Sequence, residues 1–147
     1  MYENNIFDLD FIFNALHHRY PFLLVDRIIK FEKDNFIISI KNVTINEYYF
    51  QGHFPIKKIV PGILLIESIA QTAGIFLFQN NISQKCAKKY YLSSIHKAQF
   101  KKPVIPGDQM IIKVILDQFF KNFYKFNALI KVDNNIVCKS IITCTNF

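Results

Sequence analysis

The sequence predicts an α+β domain in which one long apolar helix packs against an antiparallel β-sheet. Two segments with strand character, residues 22–32 and 36–45, come first, and an apolar helix over residues 63–79 follows. The rest of the chain is typical of strands, near residues 89–100, 109–119, 123–132 and 136–145. Because helix and strands are segregated along the chain, an antiparallel sheet is favoured over parallel βαβ units.

Length and composition indicate one folded domain over residues 1–147. The chain has 147 residues, of which 51% are hydrophobic and 20% are charged, and this balance excludes a disordered chain. A short helix is expected near the beginning, because Asp8 can cap it and Leu9, Ile12, Phe13 and Leu16 follow at helical spacing. That helix should end before Pro21.

The segment 63–79 is apolar almost all the way round, which predicts a helix buried on every side. A membrane span is the alternative interpretation, since the segment is near the lower length limit for one. Glu67, Gln71 and the strand-rich remainder of the chain favour a buried core helix, so no membrane insertion is expected.

Glu67 and His53 are the two candidate catalytic residues. Glu67 is the only charged residue between Lys58 and Lys85, and burying a lone carboxylate costs several kcal/mol unless it is paired. His53 lies in a loop with Gly52 and Pro55 just before the helix, whose first N–H groups are free. A base, a carboxylate and an N–H donor are the parts needed to remove a proton beside a carbonyl.

The remaining histidines and the cysteines carry weaker signals. His17 and His18 are interpreted as helix-end or surface residues, and His96 as solvent-facing. The three Cys form no CxxC pair, so we expect no metal site and a reducing compartment. The first ten residues contain three acidic and no basic residues, which is unlike a signal peptide, and the chain is therefore expected to be cytoplasmic.

The net charge of +7 comes mainly from lysine, because only two of the 18 basic residues are Arg. Lysine is a point charge, whereas bidentate reading of bases favours arginine. The charge therefore fits an acidic protein partner better than nucleic acid, and no nucleic acid is expected to bind.

Four blocks of sequence, in order over about residues 16–145, resemble the 3-hydroxyacyl-acyl-carrier-protein dehydratases of bacterial-type fatty-acid synthesis, the FabZ type. The resemblance implies the hotdog fold, a long helix wrapped by a curved antiparallel sheet. It rests on His18–Arg27, on Gln51–Pro55, on Pro61–Gly62 with Glu67–Gln71, and on Phe100–Gln109.

The resemblance also implies how such a chain works. His53 and Glu67 would form a catalytic pair contributed by two protomers of a homodimer, and family members usually assemble as trimers of dimers. His53 would remove a C2 proton, and Glu67 would protonate, or orient a water toward, the departing 3-hydroxyl. The reaction would convert a (3R)-hydroxyacyl thioester into a trans-2-enoyl thioester. No cofactor is expected, because the acyl group arrives on the phosphopantetheine arm of acyl carrier protein.

Five further residues are candidates for binding substrate. The Gly62 N–H would bond the thioester carbonyl, and Gln71 could fix the Glu67 carboxylate by an i,i+4 hydrogen bond. Phe54, Phe78 and Tyr91 are candidates for tunnel walls, with ordinary packing as the alternative. Lysines expected to flank the tunnel mouth are Lys85, Lys88, Lys89, Lys97, Lys101 and Lys102.

Some positions depart from the family pattern. Ile56-Lys57-Lys58 stands where Gly-Lys-Pro is common, and we expect a looser loop there. Ser68 replaces a usual Ala, and His96 replaces a usual acidic residue. Two other classes of function stay open at this point: another hotdog enzyme, such as a thioesterase or an isomerising dehydratase, and a basic acyl- or nucleic-acid-binding module.

Overall fold

A computed structural model describes residues 7–81 and 89–146. Its strands form a six-stranded sheet in the order β1-β2-β4-β5-β6-β3, in which every neighbouring pair is antiparallel. The elements are α1 (Leu9–Ala15), β1 (Arg27–Glu32), β2 (Phe36–Asn42), a 3₁₀ helix (Tyr48–Gln51), α2 (Gly62–Asn80), β3 (Tyr91–Phe100), β4 (Gln109–Phe120), β5 (Phe123–Val132) and β6 (Asn135–Thr145).

The long apolar helix predicted from the sequence is α2, and it packs across the sheet in contact with β2, β3, β4, β5 and β6. Ile69 and Phe76 of the helix and Ile112 and Phe126 of the sheet are fully buried. The rings of Phe76 and Phe126 meet edge to face with centroids 5.7 Å apart. The burial of each such side chain stabilises the protein by roughly 1.5–3 kcal/mol, and these contacts hold the helix against the sheet.

The helix α2 is less uniformly buried than the sequence predicts. Ile63 is 65% exposed, and Glu67 and Ala70 are half-buried one and two turns later. Among the described residues this helix is long and apolar enough to cross a bilayer, yet 67% of that stretch is buried by the rest of the protein. Such burial is the property of a core helix.

The short helix α1 begins where Asp8 was expected to cap it. The Asp8 Oδ1 accepts a hydrogen bond from the Phe11 N–H at 3.1 Å. Phe11 packs against Phe78 of α2, with ring centroids 5.9 Å apart. The backbone is extended at Leu16, so the helix ends well before Pro21 and the residues after Leu16 run across the surface of α2.

Residues 22–26, expected to begin the first strand, are not part of the sheet. Two of their backbone groups, the Phe22 C=O and the Leu24 N–H, bond the Gln71 side chain of α2 instead of a neighbouring strand. Asp26 lies 3.8 Å from Lys41 Nζ, and its side chain accepts the Asn42 N–H. The side chain of Gln71, distant in sequence, thus makes the hydrogen bonds that a neighbouring strand would make in the predicted strand.

Candidate active site

One face of α2 lines a cavity of about 360 Å³ that contains Glu67. Glu67, Ala70, Gln71 and Gly74 follow at the i, i+3, i+4, i+7 spacing of a single helix face. The opposite walls come from the end of α1 and the residues after it, and from the beginning of β3 and the two residues before it. They comprise Ala15, Leu16, His17, His18, Lys89, Tyr90, Tyr91 and Leu92.

Gln71 holds the Glu67 carboxylate as the i,i+4 spacing predicts. Its Nε2 donates to Glu67 Oε1 at 2.9 Å and to the Phe22 C=O at 2.8 Å, and its Oε1 accepts the Leu24 N–H at 2.7 Å. The side chain is 1% exposed and all three of these bonds are short. Gln71 therefore fixes Glu67 to the segment 22–24 as well as to the helix.

His18 is the functional candidate that sequence reasoning missed. Its Nε2 lies 3.2 Å from Glu67 Oε1, and its side chain is one-third exposed, so its interpretation as a helix-end or surface residue is wrong. The two residues are far apart in sequence, and no periodicity connects them. The only sequence signal is that His18 opens the first of the four family-like blocks.

Several titratable groups surround this cavity. Burial, and then repulsion from Arg19, lowers the pKa of Lys89, whose Nζ donates to the Asn14 C=O at 3.2 Å. Burial, and then the neighbouring Tyr124, raises the pKa of Tyr90. Burial, and then the charge of Glu67, raises the pKa of the Cys144 thiol to about 12. Cys144 is therefore a neutral packing residue near neutral pH.

His53 is held in a single orientation by its own loop. Its N–H donates to the Tyr49 C=O at 3.0 Å, and its C=O accepts the Ile59 N–H at 3.1 Å. The ring Nδ1 lies 2.7 Å from the Ile59 C=O. Because a carbonyl can only accept, Nδ1 carries the hydrogen of the neutral ring and Nε2 keeps a free lone pair. That lone pair is what a general base requires.

The loop before α2 is braced where the sequence suggested loosening. Lys58, which stands where the family commonly has Pro, donates from Nζ to the Phe50 C=O at 2.8 Å and to the Pro55 C=O at 3.0 Å. Further back, the nearly buried Lys41 pairs with Glu47 at 2.8 Å, directly before the 3₁₀ helix. Lys58 therefore braces the loop carrying His53 from within, and Lys41 of β2 ties the beginning of that loop to the sheet.

His53 and Gly62 line a second cavity of about 300 Å³ at the beginning of α2. Leu65, Phe100, Lys101 and Lys102 also line it. Gly62 is the first residue of α2, where a backbone N–H has no intrahelical acceptor. A Cβ at this position would lie 3.1 Å from the Phe100 ring, so glycine allows the end of β3 to approach the helix closely.

The two cavities lie on opposite sides of the helix. At about 100° per residue, the face with Gly62 and Leu65 is about 160° around the axis from the face with Glu67, Ala70, Gln71 and Gly74. One chain therefore presents His53 and Glu67 to separate cavities.

Only some of the other residues predicted to bind substrate line a cavity. Tyr91 lines the larger cavity, and Phe54 stacks on His53 with ring centroids 4.0 Å apart. Phe78 packs against Phe11 and the Lys89 side chain and lines neither cavity.

The lysines expected at the tunnel mouth lie in different places. Lys89 borders the larger cavity, and Lys101 and Lys102 border the smaller one. Lys97 lines a separate groove, and Lys85 and Lys88 lie outside the described residues.

His96 is exposed, as the sequence predicts, and its Nε2 lies 2.7 Å from Thr143 Oγ1 of the neighbouring strand. Within residues 7–81 and 89–146, no three His, Cys, Asp or Glu side chains are grouped closely enough to hold a metal ion.

Comparison with known proteins decides the family. The FabA-like domain model matches residues 16–140. The chain belongs to this family. It is 42% identical to the 3-hydroxyacyl-(acyl-carrier-protein) dehydratase FabZ of Erwinia tasmaniensis over 97% of its own length and 94% of the relative. It is 43% identical to the FabZ of Cupriavidus taiwanensis, over 94% and 93% of the two lengths.

Solved structures with low sequence identity share the fold. The dehydratase heterocomplex ApeI:P from Xenorhabdus doucetiae matches with a TM-score of 0.78 at 17% identity, over 92% of this chain and 90% of that one. The Escherichia coli PaaI protein matches with a TM-score of 0.62 at 16% identity, over 80% of each chain. The predicted hotdog architecture, a central helix with an antiparallel sheet around it, is confirmed.

Proposed function

We propose that this FabZ-type protein removes water from (3R)-hydroxyacyl thioesters of acyl carrier protein in fatty-acid biosynthesis, with His53 and Glu67 as its acid–base pair. His53 takes a proton from C2, and the C–H electron pair becomes the C2–C3 double bond. The C3–O bond breaks, and Glu67 gives a proton to the departing hydroxyl, so trans-2-enoyl thioester and water leave. The observation that carries this proposal is the Nδ1 contact of His53, which leaves Nε2 free as a base.

The thioester carbonyl gains negative charge as C2 loses its proton, and a backbone N–H can stabilise that charge. Gly62 supports this role, because it shares the smaller cavity with His53 and its N–H lies at the positive end of a helix dipole. Pro61 at the N-cap provides no side-chain hydrogen bond to this first turn, so substrate does not compete with a cap there.

Two protomers complete each site in this proposal. His53 and Glu67 line cavities on opposite sides of α2, which favours a partner chain over a rearrangement within one chain. The strand β3 supports such a dimer, because it is an edge of the sheet and nine of its ten residues are exposed, Tyr91, Ile95 and Phe100 among them. A long edge strand with exposed aromatic side chains is suited to pairing with a second copy. Three such dimers would form the larger assembly.

The substrate would arrive on the phosphopantetheine arm of acyl carrier protein, without a further cofactor. Lys89 at the larger cavity and Lys101 and Lys102 at the smaller one support docking of an acidic carrier, together with the net charge of +7. Tyr91 and Phe54 are the residues proposed to wall the acyl tunnel. A cytoplasmic location is part of this proposal.

The proposal is tested with His53→Ala and Glu67→Gln. We expect each variant to lose about 100-fold or more in kcat, the usual effect of removing a general acid or base. Glu32→Gln is the matched control, because Glu32 lies on β1 and bonds only Asn35 among the described hydrogen bonds of its side chain. Dehydration of a hydroxyacyl thioester is followed by mass spectrometry.

Near-wild-type kcat in either variant, with circular dichroism unchanged, would contradict the assignment. The same assay separates the related hotdog reactions by their products. A free acid would indicate thioester hydrolysis, and a 3-enoyl thioester would indicate isomerisation after dehydration.

A further inference from the structure

We propose that Lys58 is a positioning residue for His53. Its ammonium group fixes the exposed part of the loop over residues 52–59 to the protein core and thereby holds the imidazole where it can take a proton from substrate. This inference rests on the proposed role of His53 and goes beyond it, because it assigns a task in the reaction to a side chain outside the acid–base pair.

The Lys58 ammonium group bonds two backbone carbonyls that lie on either side of His53 in the chain. Its Nζ donates to the Phe50 C=O at 2.8 Å, three residues before His53, and to the Pro55 C=O at 3.0 Å, two residues after it. A lysine ammonium has only donors, and hydrogen bonds from a charged donor are about twice as strong as neutral ones. One side chain therefore closes the loop around His53.

The two carbonyls lie in different surroundings. Phe50 is 2% exposed and belongs to the hydrophobic core, whereas Pro55 is exposed. Next to Pro55, Phe54 is 48% exposed and Ile56 is fully exposed, and a Cβ at Gly52 would have no neighbour within 4 Å. Packing against the core thus contributes little to this part of the loop, so hydrogen bonds set its conformation.

The residues next to Lys58 make the contacts that orient His53. The Ile59 C=O lies 2.7 Å from His53 Nδ1, and the Ile59 N–H donates to the His53 C=O at 3.1 Å. On the other side of Lys58, the Lys57 C=O accepts the Phe54 N–H at 2.9 Å. Displacement of Lys58 therefore moves the carbonyl that keeps the hydrogen on Nδ1 and leaves Nε2 as the base.

This brace acts on proton transfer more than on substrate binding. A general base is effective only where its lone pair is aligned with the reacting C–H bond, and a displacement of about 1 Å can cost about 100-fold in rate. Lys58 lines neither the larger nor the smaller cavity, so its substitution removes no wall of either one. We therefore expect the effect in kcat and not in KM.

The test compares Lys58→Met with Lys57→Met. Both substitutions remove one positive charge from the same loop, but the exposed Lys57 side chain makes no hydrogen bond or ion pair within the described part of the chain. We expect Lys58→Met to lower kcat by about 5- to 50-fold with KM within about twofold, and Lys57→Met to keep both within about twofold. In hydrogen exchange followed by mass spectrometry, the amides of Phe54 and Ile59 should exchange about 10-fold faster in Lys58→Met and not in Lys57→Met.

Chemical rescue shows whether the ammonium group itself is needed. In Lys58→Cys, reaction of the thiolate with 2-bromoethylamine gives a side chain close to lysine in length that ends in an ammonium group. Reaction with 1-bromopropane gives a side chain of the same shape without the charge. We expect the amine to restore kcat to within about threefold of wild type, and the propyl group to leave it low.

The protein's own cysteines need a control in this experiment. Burial raises the pKa of the thiols of Cys138 and Cys144 to about 11 and about 12, so these two react slowly. Wild-type protein treated with each reagent measures any effect of reaction at native cysteines.

A further variant shows whether Lys58 acts through His53. In the His53→Ala background, Lys58→Met should change kcat by less than about twofold, because the base that it positions is absent. The proposal would be overturned by full multiplication of the two losses, by wild-type kcat in Lys58→Met, by a loss confined to KM, by an equally slow Lys57→Met, or by a recovery with bromoethylamine no larger than with bromopropane. Where Lys58→Met fails to fold, Lys58→Cys before and after reaction decides between the outcomes. A His53→Ala single variant with wild-type kcat would instead overturn the proposed function.

Discussion

Gln71 shows how one buried amide can connect a local segment, a helix and a reactive group. Its three bonds satisfy the Leu24 N–H, which is buried, the Phe22 C=O and one Glu67 oxygen. An unsatisfied buried polar group costs about 1–3 kcal/mol, so the loss of this one side chain affects the fold and the site together.

We predict that Gln71→Leu lowers the free energy of unfolding by about 2–4 kcal/mol, because the backbone groups of Phe22 and Leu24 lose their partner. The measurement is urea unfolding at a fixed protein concentration, since an oligomer gains stability by mass action. Gln79→Leu is the matched control: it lies on the same helix, and its Oε1 has no hydrogen-bond partner in the described part of the chain. A control as destabilised as Gln71→Leu would contradict the explanation.

Between elements, the important contact is the one between the beginning of α2 and the end of β3. A methyl group on Gly62 would lie 3.1 Å from the Phe100 ring, so the ring would have to shift by a few tenths of an ångström, and both residues line the cavity that contains His53. The ring of Phe100 is 53% exposed, so it can be displaced into solvent at a smaller cost than a core side chain.

We predict that Gly62→Ala lowers the free energy of unfolding by about 1 kcal/mol and reduces kcat/KM, because the methyl group displaces the Phe100 ring from the cavity wall. Gly52→Ala is the control, since a Cβ there has no neighbour within 4 Å and the backbone already has a negative φ. In a double-mutant cycle with Phe100→Ala, the effect of Gly62→Ala on stability should largely disappear. Equal effects of Gly62→Ala with and without the Phe100 ring would refute the contact as the cause.

Elements defined by their own periodicity were predictable from the sequence. The helix expected over residues 63–79 is Gly62–Asn80, and β5, expected over residues 123–132, is Phe123–Val132. Residues 22–26 show the limit, since two of their backbone groups, the Phe22 C=O and the Leu24 N–H, bond a side chain more than 40 residues away. Sequence periodicity depends on residues close together in the chain, so it does not indicate a partner as distant as Gln71.

In the candidate site, too, the features that depend on nearby positions in the chain were predictable, and the contacts between distant segments were not. The Gln71–Glu67 bond follows from i,i+4 spacing within one helix, and His53 followed from its place before that helix. The contact of His18 with Glu67 depends on how the segment after α1 crosses α2, which only the folded chain reveals. The brace from Lys58 likewise depends on a loop conformation that its residue types do not specify.

At the scale of the whole molecule, the two cavities explain why activity should require more than one chain. A helix can present only one face to a given cavity, and α2 uses opposite faces for the Gly62 side and the Glu67 side. In a two-fold dimer, each chain would contribute its His53 side to one active site and its Glu67 side to the other. Both active sites would then contain both side chains.

Subunit mixing tests this directly. Chains carrying His53→Ala and chains carrying Glu67→Gln, each inactive alone, are co-expressed with different tags and purified as a mixture. A mixed dimer contains one site with both substitutions and one site with neither. Random pairing makes half the dimers mixed, so kcat per chain should recover to about a quarter of the wild-type value. If both residues acted within one chain, no mixture would contain an intact site and activity would stay at the level of the separate variants.

An equal mixture of wild-type chains with chains carrying both substitutions is the matched control. Every mixed dimer then has two defective sites, because each site receives one altered residue. Only the dimers of two wild-type chains stay active, and we expect about a quarter of the wild-type activity per chain. Independent chains would keep about half of it. The two mixtures should therefore agree with each other if sites are shared, whereas independent chains would give almost no activity in one mixture and half in the other.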